Sequence, residues 1–219
     1  MIGVLVCDDH LIVRQGIRQM LADTGDIILT AEASNGPEAL RLVRAAQAGA
    51  QPGIDVVLMD IAMPGRDGLD VLKQLKREVP RLPVLMLSTY PDKQYAVRSL
   101  KLGAAGYLNK STDLEQLSGA VRKAAAGGLF ITPAIAEQLA GALGAGRDSE
   151  QPLHERLSNR EYQVFRLLAQ GTSVGEIAVQ LALSPNTVST YRARVLEKTG
   201  ARNDVELALY AVRQDLLPV

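Results

Sequence analysis

The chain has 219 residues and 47% hydrophobic content, enough for two modest cores, and Lys plus Arg balance Asp plus Glu at 24 each. Overall charge therefore announces no nucleic-acid partner; dividing the count near residue 125 leaves both parts close to neutral, so any basic surface must be local. A single cysteine, Cys7, excludes a disulfide framework and multi-cysteine zinc sites; no apolar run approaches about 18 residues and the chain opens on a strand pattern, so the expectation is a cytoplasmic protein without a membrane partner.

In chain order, strands are predicted at 3–7, 27–33, 55–59, 84–88 and 106–108, and helices at 11–22, 36–48, 68–78, 92–102 and 113–126. The strand runs carry Val, Ile and Leu on both faces, and they alternate with helical periodicity. That pattern implies an α/β domain with a doubly wound, five-stranded parallel sheet over residues 1–126. Gly127 and Gly128 stop its last helix, Thr132-Pro133 start a short helix to about Ala140, and the small, polar stretch that follows reads as a linker, the whole connection spanning 127–151. Residues 152–219 show helical spacing alone, so a second, all-α domain is expected there.

Asp8 and Asp9, Asp60 and Lys110 each stand where a short apolar run ends, and Ser88 closes another. In an open parallel sheet the carboxyl ends of the strands face one crevice, so these residues converge. Three carboxylates there call for compensation by a hard cation such as Mg2+, which leaves one of them able to attack phosphorus. Lys110 can pair with a carboxylate or with an incoming phosphoryl oxygen. Cys7, inside an apolar strand, reads as a buried structural thiol.

This region resembles the receiver domain of two-component response regulators, which has a flavodoxin-like fold. The resemblance rests on the pair Asp8-Asp9, the segment MDIAMPGRDG around Asp60, Leu87-Ser88, and GYLNK at 106–110. It implies that Asp60 accepts the phosphoryl group from a sensor histidine kinase. It further implies that Asp9, Asp60 and the backbone carbonyl of Ala62 hold Mg2+, with Asp8 acting mainly through water. Lys110 and Ser88 would contact the phosphoryl group, and Tyr107 would be the aromatic switch. Family members often carry Pro after the lysine, where this chain has Ser111.

In the second domain, Ser158 and Glu161 form an S-x-x-E capping box ahead of Val164, Phe165, Leu167 and Leu168, and Gly171 ends that helix. A second helix runs from Val174 to Leu181. Ser184 then caps a third, with Pro185 at its first position. Stepping about 100° per residue puts Val188, Val195 and Thr199 on one face of the third helix. The opposite arc holds Asn186, Ser189, Thr190, Ala193, Arg194 and Glu197, with Thr187 near the helix start.

Short polar groups on that arc suit base edges, while Arg192, Arg194 and Lys198 suit phosphates, Arg192 sitting nearer the inner arc; residues 185–202 carry four basic residues against Glu197 alone. Residues 152–215 resemble the LuxR-type helix-turn-helix of the NarL/FixJ regulators through LSNRE, EIAVQLALSPNTV and VLEKTGA. The resemblance implies a phosphorylation-controlled transcription regulator that binds promoter DNA as a homodimer, with RNA polymerase a further possible partner. The last predicted helix, near 204–213, has more apolar positions than docking requires and is assigned to dimer contact. The alternatives are a phosphorylation-independent regulator with a vestigial receiver, and a Mg-dependent phosphohydrolase. Against the hydrolase, Asp60 lacks a second aspartate two positions on.

Overall fold

The structure, a computed structural model, describes residues 1–50, 53–89, 93–133, 135–137, 152–214 and 216–217. The chain forms two compact units, Met1–Ala140 and Gly141–Val219.

The first unit is built on five parallel strands, β1 (Ile2–Cys7), β2 (Ile27–Ala33), β3 (Val56–Asp60), β4 (Val84–Ser88) and β5 (Gly106–Asn109), in the order β2-β1-β3-β4-β5. Connecting them are α1 (Leu11–Ala22), α2 (Gly36–Gln47), α3 (Gly68–Glu78), α4 (Lys93–Lys101) and α5 (Leu114–Ala125). Strands β3 and β4 are buried at every residue, which is why their sequences are unbroken apolar runs rather than alternating ones. Ile17 and Leu21 of α1 and Leu117, Ala120, Val121 and Ala124 of α5 pack on Val4, Val6, Val56, Leu58, Leu85 and Leu87. Local chemistry fixes where helices start: Asn35, Asp67 and Asp113 each cap a helix by accepting a backbone N–H, an interaction worth about 1 kcal/mol.

The strand order reverses at β1, so the β1–α1 and β3–α3 turns open away from each other at the carboxyl edge and leave a crevice. The expected elements agree with the observed ones to within a residue or two at their ends. One difference lies after α5, where a linker was expected from residue 127. Phe130 instead donates its N–H to the Ala105 carbonyl at 2.7 Å and bridges Gly106, and Ile135 is buried. An apolar Phe at that distance from the last strand extends the first unit beyond 126. Residues 133 and 135–137 are helical, whereas the rest of the expected short helix and the linker through 151 lie outside the described residues.

The second unit contains a 3-10 turn (Leu153–Arg156) and α6 (Asn159–Ala169), α7 (Val174–Gln180), α8 (Pro185–Thr199) and α9 (Asp204–Arg213). Ser158 and Ser173 both form complete capping boxes with Glu161 and Glu176. The core gathers Tyr162, Val164, Phe165, Ile177, Val188, Val195, Leu207 and Ala211, each completely buried. Gly200 adopts the left-handed conformation (φ 70°) that ends α8 without a Cβ penalty.

Candidate functional site

Asp8 directly follows β1 and is completely buried; Asp60 ends β3 and is 1% exposed. Lys110, one residue past β5, lies between them, its Nζ at 2.7 Å from Asp8 Oδ2 and 2.9 Å from Asp60 Oδ2. Its backbone N–H donates to the Ser88 carbonyl at 2.7 Å, so the β4 end sets its height. Asp8, Asp9, His10 and Asp60 each offer one donor atom, and these atoms all lie within 4.8 Å of one another.

Burial pushes the Asp60 carboxyl up, to about 6, against the pull of the Lys110 charge; nearby Asp8 adds to the rise. Asp60 is therefore ionised at neutral pH. For Lys110, burial alone would lower the pKa, but Asp60 and Asp8 beside it raise it above the ordinary lysine value. Asp8, Asp60 and Lys110 together carry a formal charge of −1, and Asp9 takes the crevice to −2. Asp9 Oδ1 is a buried oxygen with no hydrogen-bond donor among the described residues. Three carboxylates with such an orphaned oxygen fit a hard divalent cation.

The β3–α3 turn is held by contacts on both sides of Asp60. The Ala62 N–H donates to Asp60 Oδ1 at 3.3 Å, and the Gly68 N–H to the Ile61 carbonyl at 3.0 Å. Gly68 is a functional position that sequence reasoning passed over: a Cβ there would lie 1.9 Å from the Asp60 carbonyl oxygen. Arg14 was also missed. Its Nη1 donates to the Asp8 carbonyl at 2.7 Å and its Nε to Glu32 at 3.2 Å, tying the acidic turn to β2.

Ser88 is 3% exposed and Tyr107 6%, both on the strands that flank Lys110. Ser111 folds back by donating its N–H (2.8 Å) and Oγ–H (2.6 Å) to Asn109 Oδ1. Cys7 is completely buried, and burial pushes its thiol far above the ordinary range, which makes it inert.

In the second unit, Asn186, Ser189, Thr190, Ala193 and Arg194 are exposed on the outer arc of α8, opposite buried Val188, Val195 and Thr199. Thr187 is half-buried and engaged at the cap, its N–H donating to Ser184 Oγ at 3.1 Å. Thr190 Oγ1 donates back to the Asn186 carbonyl at 2.9 Å. The structure qualifies two cations expected on phosphates. Arg192 Nε pairs with Asp204 at 2.8 Å, and Lys198 Nζ with Glu161 at 2.6 Å. Arg194 has no carboxylate partner among the described residues. On α9, Leu207 and Ala211 face the core, while Val205, Leu209 and Val212 are 70%, 51% and 64% exposed.

Residues 4–122 match the family model for the response regulator receiver domain, and residues 155–211 that for bacterial regulatory proteins of the luxR family. The chain is 40% identical over 217 residues to the response regulator GacA of Pseudomonas aeruginosa, covering 99% of this chain and 98% of that one. It is 37% identical over 216 residues to the response regulator UvrY of Escherichia coli K12, covering 99% and 96%. Among solved structures it is similar to RcsB of Salmonella enterica serovar Typhimurium bound to promoter rprA with the phosphomimetic BeF3-, with TM-score 0.62 and 26% identity over 95% of this chain and 97% of that one. With an acidic crevice on a five-stranded parallel sheet in one unit and a capped helix-turn-helix in the other, the chain belongs to the NarL/FixJ family of response regulators and is a transcription regulator.

Proposed function

We propose that Asp60 accepts a phosphoryl group from the phosphohistidine of a sensor kinase, and that the modified chain binds promoter DNA as a dimer. The observation that carries this reading is Lys110 Nζ set between two buried carboxylates, 2.7 Å from Asp8 and 2.9 Å from Asp60, beside the orphaned oxygen of Asp9. An Asp60 oxygen forms the new P–O bond as the P–N bond to the kinase imidazole breaks. Asp9, Asp60 and the Ala62 carbonyl would hold Mg2+, which supplies charge neutralisation for the equatorial phosphoryl oxygens. Lys110 exchanges its Asp60 contact for a phosphoryl oxygen, so its positive charge remains compensated throughout. The phosphoryl group adds a charge of about −2 with strong acceptor oxygens, to which the Ser88 hydroxyl donates. Tyr107, on the neighbouring strand, packs according to where that hydroxyl goes.

Readout of this event belongs to the second unit. The exposed arc of α8 enters the major groove, with Ser189, Asn186 and Ala193 toward base edges and Arg194 toward phosphate. A single helix-turn-helix module buries roughly 600 to 1,000 Å2 on DNA, so two copies reading two half-sites supply the missing affinity. Val205, Leu209 and Val212 are exposed at helical spacing on α9, an apolar stripe that a second copy would cover.

The test is incubation with acetyl phosphate and Mg2+ followed by intact-mass measurement and a promoter footprint. One phosphoryl group on the wild-type chain, none on Asp60→Asn, and a footprint strengthened by labelling are expected. Labelling that persists in Asp60→Asn refutes the acceptor assignment. Multiple turnover of a small phosphoester would favour a hydrolase, and a footprint indifferent to labelling a vestigial receiver.

A further inference from the structure

We infer that His10 is an additional donor at the phosphoacceptor site and biases it toward borderline transition-metal dications over Mg2+. This inference rests on the metal-binding role proposed above for Asp9 and Asp60. His10 immediately follows the acidic pair, and its backbone N–H donates to Asp8 Oδ1 at 2.8 Å, which fixes the residue over the crevice. Although its side chain is 64% exposed, the ring turns Nδ1 inward, to 3.0 Å from Asp9 Oδ1 and 3.3 Å from Asp8 Oδ1. The approach to Asp9 lacks hydrogen-bond geometry, and Asp9 Oδ1 has no other donor among the described residues.

Two further oxygens of the same cluster are buried without a hydrogen-bond donor of proper geometry. These are Asp8 Oδ2 and Asp60 Oδ2, each ion-paired to Lys110 Nζ, at 2.7 and 2.9 Å. One nitrogen and the carboxylates of Asp8, Asp9 and Asp60 thus present donor atoms within 4.8 Å of one another, a spread that one ion can bridge.

The donor types decide the selectivity. Mg2+ is hard, keeps several waters and gains little from an imidazole, whereas Co2+, Ni2+ and Zn2+ bind neutral imidazole well. A purely carboxylate pocket separates these ions weakly. A pocket with one nitrogen separates them by the added metal–nitrogen bond. The ring's exposure means that it can reach a bound ion without any rearrangement of the core.

The experiment is calorimetric titration of the untagged full-length protein with Mg2+ and with Co2+, for wild type, His10→Ala, His10→Gln and Asp9→Asn. The chain contains only two histidines, and the other, His154, is 2% exposed in the second unit. Nitrogen coordination of an ion at the crevice therefore reports on His10. The preference for Co2+ over Mg2+ should fall about tenfold in His10→Ala and stay low in His10→Gln, with Mg2+ affinity changed less than about twofold. A 113Cd resonance of the Cd2+-loaded protein should show a nitrogen donor in wild type and an all-oxygen environment in His10→Ala.

Equal weakening of Co2+ and Mg2+, an unaltered Co2+ to Mg2+ ratio, or an all-oxygen 113Cd shift in wild type overturns the inference while leaving the carboxylate site standing. Unaltered Mg2+ affinity in Asp9→Asn overturns the site itself, and the inference with it.

Discussion

Replacing Asp60 with Asn, in buffer free of divalent cations, should stabilise the first unit, and the gain should depend on pH. The Asp60 carboxyl is raised from its ordinary 3.8 to about 6 because burial opposes its charge more strongly than Lys110 favours it. That difference of about 2 units, at about 1.4 kcal/mol each, is about 3 kcal/mol of cost for keeping the ionised group in the folded crevice. Between about pH 6 and pH 4 the folded chain binds more protons at this site than the unfolded chain, so stability rises as pH falls through that window and the full cost is present above it. Asn removes the ionisable group while Lys110 keeps Asp8 at 2.7 Å.

The variant should therefore be more stable by up to about 3 kcal/mol near pH 7.5, a rise in the first unit's melting temperature of about 10 °C, with the gap closing toward about pH 4. Differential scanning calorimetry of the full chain at a series of pH values measures both. Identical melting of the two proteins near neutral pH, or a gap that does not change with pH, would refute the reasoning that Asp60 is a buried carboxylate kept ionised at a cost.

Three further outcomes are expected. Gly68→Ala should displace the β3–α3 turn, because the new methyl would meet the Asp60 carbonyl oxygen at 1.9 Å. It should destabilise by about 1–3 kcal/mol and slow labelling by acetyl phosphate, and normal labelling kinetics would show that the turn yields without moving Asp60. Arg194→Ala should weaken binding to all DNA sequences and lower the salt slope by about 1. Arg192→Ala should do so less, because Arg192 is already engaged by Asp204 at 2.8 Å; fluorescence anisotropy across a salt series separates the two, and equal slopes would contradict this ranking. Leu209→Asp places a charge in the exposed stripe with Val205 and Val212. It should leave the fold intact and abolish two-fold occupancy of DNA in sedimentation velocity, whereas retained two-fold occupancy would move the dimer contact elsewhere.

Much of this protein is decided locally. The five apolar runs, the capping residues Asn35, Asp67, Asp113, Ser158, Ser173 and Ser184, and the Pro185 start of α8 act over a few neighbours, so element order and type can be read from the chain itself. The convergence of Asp8, Asp60 and Lys110 is readable too, because parallel strands put their carboxyl ends on one edge whatever their separation in sequence.

What the sequence leaves open is how each charge is compensated. No local rule says that Lys110 spans Asp8 and Asp60, that Arg14 grips the Asp8 carbonyl, or that Arg192 and Lys198 spend their charge on Asp204 and Glu161. Nor does one say that Gly68 must lack a side chain because the Asp60 carbonyl lies against it. Backbone propensity and periodicity are properties of neighbours a few residues apart, whereas ion pairing and steric exclusion act over a few ångströms of space. Only the packed helices and sheet bring residues tens of positions apart within that range.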